Sequence, residues 1–140
     1  MSKEPQPFSW PSRIRFVDTD ASGRIHYTAI MRHFEAAEFE FMRSIGHPYQ
    51  LSDPAETVRY PRVHVECDYY SALRCDDLIS TEVRVERVGG ASYTLGFTVM
   101  LDGRKAASGK ITAVCMNTCV GNAQPLPEGL AGSLRQRLAP

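Results

Sequence analysis

The sequence predicts an α+β fold in which one long apolar helix is wrapped by an antiparallel β-sheet. Large apolar residues recur at three- and four-residue steps over about 27–45, which is typical of a helix with one buried face. Further along the chain, segments with apolar residues at every second position are joined by short turns, which is typical of antiparallel strands. The apolar stripe of the helix is broad, and a curved sheet is its natural partner.

Length and charge restrict the class of protein. The chain has 140 residues, so we expect a single domain over 1–140. Sixteen basic residues balance sixteen acidic ones, and this balance argues against nucleic-acid binding. No stretch approaches the roughly 18 apolar residues that cross a bilayer, and the first residues lack the apolar run of a signal peptide. We therefore expect a cytoplasmic protein without a membrane span, with its four cysteines reduced.

The first part of the chain is expected to contain an arm, a strand, a loop and the helix. Residues 1–11 are polar and contain three prolines, which favours a loose arm. Residues 12–18 alternate polar and apolar side chains and predict a strand, and the polar stretch around Gly23 predicts a tight loop. The helix is expected over about 27–45, because Gly46 is typical of a helix end.

The remaining sequence supplies the sheet and a tail. The alternation in the first of these strands places Val63, Val65, Cys67 and Tyr69 on one face. Gly89-Gly90 and Asp102-Gly103 are turn signals that join the last three strands into a meander. A C-terminal tail is expected over 117–140, with a short helix near 128–138. The four predicted strands cover residues 62–70, 77–88, 91–101 and 104–116.

The loop before the helix carries the main chemical signal. Asp18 and Asp20 stand two residues apart, next to a helix start whose free backbone N–H groups carry partial positive charge. Such donors can hold an oxyanion, and a neighbouring carboxylate can act as nucleophile or as general base for a water. The alternative is that both aspartates only shape the turn or cap the helix.

The same run also matches the opening of an EF-hand calcium loop. The bidentate glutamate that such a loop needs would fall at Ala29, and a strand precedes the loop where a helix is required. The cysteines and histidines show no ligand spacing either. We therefore predict that the protein has no metal site and no cofactor.

Two other residues are candidate catalytic groups. Glu38 falls within the apolar stripe, where burial would raise the pKa of an unpaired carboxyl. The alternative for Glu38 is an ion pair with an arginine across a subunit interface. His26 stands where the loop meets the helix and could orient a water or a carbonyl, or could be an exposed loop residue.

Residues 13–46 closely resemble the start of hotdog-fold acyl-CoA thioesterases, namely the 4-hydroxybenzoyl-CoA thioesterase group and the Tol–Pal-associated enzymes. The family pattern is a strand, then D-T-D-x-x-G, an aromatic residue, R-x-F-E-x-A and R-x-x-G. The later segments 76–78 and 87–92 are also similar, and the resemblance covers about residues 10–117. The matching residues are Asp18-Thr19-Asp20, Gly23, Tyr27, Arg32, Phe34-Glu35, Ala37, Arg43 and Gly46.

The resemblance implies a function and a set of roles. It implies hydrolysis of an acyl-CoA thioester to the free acid and coenzyme A. Asp20 would be the catalytic carboxylate, and the backbone N–H of Tyr27 would donate to the thioester carbonyl. Gly23, Arg87 and Ser92 would contact the substrate, the last two through the coenzyme A phosphates. The resemblance also implies a homodimer with one continuous sheet, which often associates into a homotetramer.

This chain departs from the family pattern at two places. His26-Tyr27 stands where some relatives have Tyr-His, and Ala29 and Ile30 stand where many carry Asn and Tyr. The first departure bears on any catalytic role of His26, and the second bears on the contacts made to the acyl group. A non-catalytic acyl-binding module and a hotdog dehydratase stay open as alternative functions.

Overall fold

A computed structural model describes residues 6–138. Over these residues the chain forms two α-helices, one 3₁₀ turn and eight strands. The first half contains β1 (Phe8–Arg13), the 3₁₀ turn (Phe16–Asp18), α1 (Ile30–Ser44), β2 (Val58–Arg59) and β3 (Arg62–Tyr69). The second half contains β4 (Leu78–Val88), β5 (Ser92–Leu101), β6 (Arg104–Val114), β7 (Met116–Asn117), β8 (Asn122–Ala123) and α2 (Glu128–Arg135).

The main sheet has five antiparallel strands in the order β1-β4-β5-β6-β3. The predicted meander of β4, β5 and β6 is confirmed. Its second turn is the Asp102-Gly103 pair, with φ angles of 50° and 78°, as a two-residue hairpin requires. The short strands β2, β7 and β8 form a second small sheet.

Helix α1 lies on the main sheet through its apolar face. The ring of Phe34 stacks on that of Phe97, with centroids 4.7 Å apart and planes 10° from parallel. Gly109 in β6 makes this close approach possible, because a Cβ there would lie 2.7 Å from the Phe34 ring. The helix ends before Gly46, whose φ of 86° suits glycine. This helix wrapped by a curved antiparallel sheet is the hotdog fold that the resemblance implied.

The N-terminal predictions need correction. The segment 8–11, expected in a loose arm, belongs to β1, and the strand expected over 12–18 ends at Arg13. Strand β1 lies at the edge of the sheet, where a proline such as Pro11 is tolerated. Beyond Arg13 the strand gives way to a 3₁₀ turn, in which the Arg15 N–H donates a hydrogen bond to the Asp18 side chain. Residues 1–5 of the expected arm lie outside the described residues.

Strand β3 forms the other edge of the sheet and is exposed on both faces. Its apolar face includes Val63 and Val65, which are 62% and 51% exposed. Its outer edge has no partner strand within residues 6–138. The tail folds back through α2, which is shorter than predicted and buries Leu130 and Leu134. Among the described residues, no helix is both long and apolar enough to span a membrane.

Candidate active site

The loop before α1 is a tight turn fixed by its own backbone. Thr19 and Ile25 form an isolated antiparallel bridge, and the Asp20 N–H donates to the Arg24 carbonyl at 3.1 Å. Gly23 donates its N–H to the Asp20 carbonyl at 3.0 Å and has a φ of 75°, which favours glycine. The turn explains why glycine stands at position 23, and its predicted contact with substrate stays a prediction.

Asp18 is buried and ties this loop to the first turn of α1. Its carboxylate accepts hydrogen bonds from Arg32 Nη2 at 2.7 Å, from His33 Nε2 at 2.9 Å and from the Arg15 N–H at 2.9 Å. Burial opposes ionisation, but these hydrogen bonds outweigh it and hold the Asp18 pKa at about 2. Asp18 is therefore ionised, and both of its carboxylate oxygens are already bound by donors of the protein.

A Ser–His–Asp chain runs through the same anchor. Ser12 Oγ lies 2.8 Å from His33 Nδ1, and the other nitrogen of this imidazole meets Asp18. In a serine protease triad the histidine Nε2 faces the serine and Nδ1 faces the aspartate. Here the arrangement is reversed, because Nδ1 faces Ser12 and Nε2 faces Asp18. Ser12 also does not line the groove beside Tyr27 described below. We interpret this chain as a brace between β1, the loop and α1.

Asp20 has a different environment from Asp18. It is exposed, and its Oδ1 accepts hydrogen bonds from the Ser22 N–H at 2.8 Å and the Ser22 hydroxyl at 2.6 Å. The Ser22 hydroxyl is the main cause of a lowered Asp20 pKa. Within the described chain, Oδ2 of Asp20 accepts no hydrogen bond. The two aspartates have separate partners, unlike the converging carboxylates of an EF-hand loop.

Tyr27 presents a free backbone donor beside a groove. Among residues 6–138, no acceptor binds the Tyr27 N–H. The Tyr27 carbonyl accepts a hydrogen bond from the Tyr69 hydroxyl, which stays protonated because burial raises the Tyr69 pKa. The adjacent Tyr27 groove has a volume of about 330 Å³. Its lining residues are Arg24, Ile25, Tyr27, Tyr69, Tyr70, Ser71, Ala72 and Leu73.

His26 lies next to this donor. Its Nδ1 accepts the Thr28 N–H at 3.2 Å and lies 2.7 Å from the Thr28 hydroxyl. Its ring stacks on that of Tyr27 with centroids 4.4 Å apart. Nε2 has no hydrogen-bond partner among the residues described, so this nitrogen is the one that could meet a water or a substrate.

Glu38 belongs to a separate buried cluster. It forms an ion pair with Arg62 and accepts a hydrogen bond from the Tyr49 hydroxyl, which also contacts the Tyr93 hydroxyl. The ion pair expected across a subunit interface is instead made within the chain. Glu38 lies about 12 Å along the helix axis from Ile30, at 1.5 Å per residue. One chain therefore does not bring Glu38 to the loop that carries Asp20.

Arg87 and Ser92 meet each other far from the loop. Their side chains approach to 3.5 Å between Nη1 and Oγ at the β4–β5 turn. The opposite end of β4 adjoins the loop region, where the Ile14 N–H donates to the Asp77 carbonyl at 2.8 Å. From Leu78 to Arg87 the strand extends about 30 Å at 3.3 Å per residue. Within one chain these two residues and Tyr27 lie at opposite ends of the sheet.

Sequence reasoning missed Tyr69 as part of the site. It is 42 residues from Tyr27, and only the sheet brings them together. No local pattern in the sequence signals this contact. The described part of the chain contains no group of three or more His, Cys, Asp or Glu side chains that could hold a metal ion.

Comparisons with known proteins place this hotdog fold among thioester hydrolases. The model of the thioesterase-like superfamily matches residues 14–134. The chain therefore belongs to this family.

Several relatives have similar lengths. The acyl-CoA thioester hydrolase YbgC of Escherichia coli O6:H1 is 26% identical over 132 residues, covering 92% of this chain and 96% of the relative. The 1,4-dihydroxy-2-naphthoyl-CoA hydrolase of Prochlorococcus marinus (strain MIT 9313) is 27% identical over 124 residues, covering 84% and 82%. A solved thioesterase-superfamily structure from Jannaschia sp. CCS1 superposes with a TM-score of 0.86 at 20% identity, covering 100% and 99%, and supports the fold.

Proposed function

We propose that the protein hydrolyses an acyl-CoA thioester, with Asp20 as nucleophile or general base and the Tyr27 N–H as donor to the acyl carbonyl. The observation that carries the proposal is that Tyr27, whose backbone N–H has no acceptor among the described residues, lines a groove and lies on the same loop as an ionised carboxylate with a free oxygen. Donors of this kind are most effective where negative charge develops during acyl transfer.

The proposed reaction begins when the thioester carbonyl oxygen accepts the Tyr27 N–H. Asp20 Oδ2 removes a proton from a water, whose oxygen adds to the carbonyl carbon. Alternatively the carboxylate oxygen itself adds to that carbon, and water cleaves the mixed anhydride that forms once the thiolate has left. The Tyr27 N–H stabilises the oxyanion. The C–S bond then breaks, and coenzyme A leaves as a thiolate that later takes up a proton. A thiolate is a good leaving group, so the step needs little acid catalysis.

The relatives support a coenzyme A thioester as the substrate class. Of the two relatives described above, one is named for a dihydroxynaphthoyl group and the other for no particular acyl group. The proposal therefore extends to the coenzyme A thioester and not to one acyl group. We also propose that Arg87 and Ser92 bind coenzyme A phosphates. Their distance from Tyr27 within one chain means that they would serve a substrate held by another subunit's loop.

We propose that the enzyme is a homodimer, and we predict its further association into a homotetramer. Strand β3 offers a free edge of eight residues with exposed valines, a feature that monomeric proteins avoid. Around the Asp20 loop, Phe16, Val17 and Tyr27 are 82%, 74% and 72% exposed. A second copy that covers this apolar surface would also shield the reacting groups from water, which strengthens electrostatic stabilisation there.

A thiol-release screen tests the proposal. The full-length protein is assayed against aromatic, short-chain and medium-chain acyl-CoAs, with the matching acyl-pantetheines and acyl carrier proteins in parallel. We expect stoichiometric release of free acid and thiol from at least one acyl-CoA, and a higher KM for its pantetheine analogue if the phosphates are bound. Acyl-CoA binding without thiol release would instead indicate a binding module, and hydration of crotonyl-CoA would indicate a dehydratase.

The expected cytoplasmic location stays a prediction that cell fractionation checks.

A further inference from the structure

The Tyr27 groove has one charged side chain among its lining residues, that of Arg24. The other lining residues are tyrosines, small residues and the apolar Ile25 and Leu73, and none of them is acidic. Arg24 is exposed, so a molecule in the groove can reach it. A cation beside apolar and aromatic walls attracts an anion more strongly than the same cation does in bulk water.

The side chain is the part of Arg24 that is free to meet a ligand. The Arg24 N–H donates to Ser22 Oγ at 3.2 Å, and the Arg24 carbonyl accepts the Asp20 N–H at 3.1 Å. Both polar backbone atoms are therefore used inside the turn. The guanidinium forms no hydrogen bond or ion pair with any of residues 6–138, whereas that of Arg32 in the same region is bound by Asp18. The donors of Arg24 are thus available to an anion.

Arg24 lies near the position of the thioester carbonyl in the proposed reaction. It stands three residues before Tyr27, so the two Cα atoms are at most about 11 Å apart. The coenzyme A phosphates lie farther from the carbonyl, because an extended pantetheine arm separates the sulfur from the first phosphate by roughly 15 Å, at the rise of an extended chain. Arg87 and Ser92 are the residues proposed to bind those phosphates. Together these relations favour an anion that is carried by the acyl group.

We propose that Arg24 is a specificity-determining residue that binds a carboxylate at the far end of the acyl group. This role rests on the proposed thioester hydrolysis and narrows its substrate class to acyl-CoAs that carry a free carboxylate. An arginine side chain presents parallel N–H donors that match the two oxygens of a carboxylate. The Tyr27 N–H then holds one end of the acyl group, and Arg24 holds the other.

The test compares carboxylated acyl-CoAs with their methyl esters, which lack the charge and keep the chain. Malonyl-, succinyl-, glutaryl- and adipoyl-CoA and their esters are assayed by thiol release. For the wild type, we expect the KM of the best carboxylated substrate to be at least about 10-fold below that of its ester, in line with a hydrogen bond to a charged group. Arg24→Met should raise the KM of that substrate by a similar factor, with little change in kcat or in the KM of the ester.

Arg135→Met is the matched control. Arg135 is also exposed, its side chain has no partner within the described residues, and it lies in α2 outside the groove. This variant makes the same change in net charge and should leave both KM values unchanged. Arg24→Lys keeps the charge without the parallel donors, so it should recover part of the affinity for the carboxylated substrate.

Two kinetic results would overturn the proposal. One is a wild type that prefers none of the carboxylated substrates to its ester. The other is an Arg24→Met variant whose KM is unchanged or rises equally for acid and ester. An equal rise that disappears when pantetheine thioesters replace the CoA thioesters would show that Arg24 binds a coenzyme A phosphate instead.

The proposed function fails separately, if the wild type releases thiol from no acyl-CoA. Arg24 is then tested by titration with analogues of the same acyl-CoAs in which a methylene group replaces the thioester sulfur, again as acid and as methyl ester. The wild type should bind the best acid at least about 10-fold more tightly than its ester, and Arg24→Met should lose this difference. Equal affinities of acid and ester for the wild type, or no binding of either, would also overturn the role.

Discussion

Asp18 Oδ2 and His33 Nε2 lie 2.9 Å apart and connect the loop before α1 to the first turn of that helix. Arg32 reinforces the connection through the second carboxylate oxygen at 2.7 Å. The His26 N–H also donates to the Asp18 carbonyl at 2.7 Å, one residue before Tyr27. Asp18 therefore fixes the position of the Tyr27 amide relative to the loop that carries Asp20.

Substitution of Asp18 should reduce stability in a pH-dependent way. The Asp18 pKa falls from an ordinary value of 3.8 to about 2 on folding. At 1.36 kcal/mol per pKa unit, Asp18→Asn should lower the free energy of unfolding at pH 7 by about 2 kcal/mol. Because the folded-state pKa is depressed, this contribution is present above pH 3.8 and is lost as the pH falls through about 2. Urea unfolding across this range measures it, and a variant with wild-type stability at pH 7 would contradict the role.

The Ser12–His33–Asp18 chain gives a second prediction. Because we interpret it as a structural brace, Ser12→Ala should keep kcat within about twofold and lower stability by about 1 kcal/mol, the net value of one hydrogen bond. Steady-state kinetics and thermal unfolding of the same preparation measure both effects. A fall in kcat of about 10³-fold or more, as for a lost triad serine, would show that Ser12 is the nucleophile.

The acid limb of the pH profile should depend on Ser22. The Ser22 hydroxyl favours the ionised form of Asp20 and lowers its pKa. Removing this donor in Ser22→Ala should raise that pKa towards 3.8, so the acid limb of kcat/KM moves to higher pH while the plateau near neutral pH is unchanged. The measurement is kcat/KM from pH 3 upwards, with unfolding checked at each pH. An acid limb that does not move, or moves to lower pH, would show that the rate does not depend on the ionisation of Asp20.

The elements with strong periodicity were predictable from the sequence. The stripe that includes Phe34 and Phe41 predicted α1, and Asp102-Gly103 predicted the β5–β6 hairpin, because both signals depend on neighbouring residues alone. The full extent of strand β1 was not predictable, since its proline and polar residues are tolerated only because the strand lies at a sheet edge. That position is a property of the strand order β1-β4-β5-β6-β3, which local periodicity does not determine.

As with the fold, the parts of the site that depend on neighbouring residues were predictable from the sequence. The motif around Asp20 indicated the loop, which lies where expected, and the helix start, which was predicted at about residue 27 but lies at Ile30 because residues 27–29 form a turn before α1. The partner of Glu38 was not predictable, because Arg62 reaches it from a strand 24 residues away. The different environments of Asp18 and Asp20 also follow from tertiary hydrogen bonds that spacing alone does not show.

Association through β3 should be sensitive to charge. Val63→Lys with Val65→Lys places two cations on the exposed face of the free edge strand, and lysines on such edges oppose pairing. We expect the wild type at two or four times 15.6 kDa by light scattering, and this variant at the monomer mass with reduced activity. Val120→Lys is the matched control, since that valine is 69% exposed in a loop outside β3. A wild type that is monomeric and fully active would contradict the proposed dimer.

The most direct test of the central claim is the kcat/KM of Asp20→Asn for thiol release from the best acyl-CoA substrate. Asp53→Asn is the matched control, because Asp53 is also exposed and its Oδ1 accepts a backbone N–H two residues later, from Ala55 at 2.9 Å. If Asp20 is the general base or nucleophile, its loss should lower kcat/KM by roughly 10² to 10⁴, with Asp53→Asn unchanged. A folded Asp20→Asn protein with wild-type kcat/KM would contradict the account.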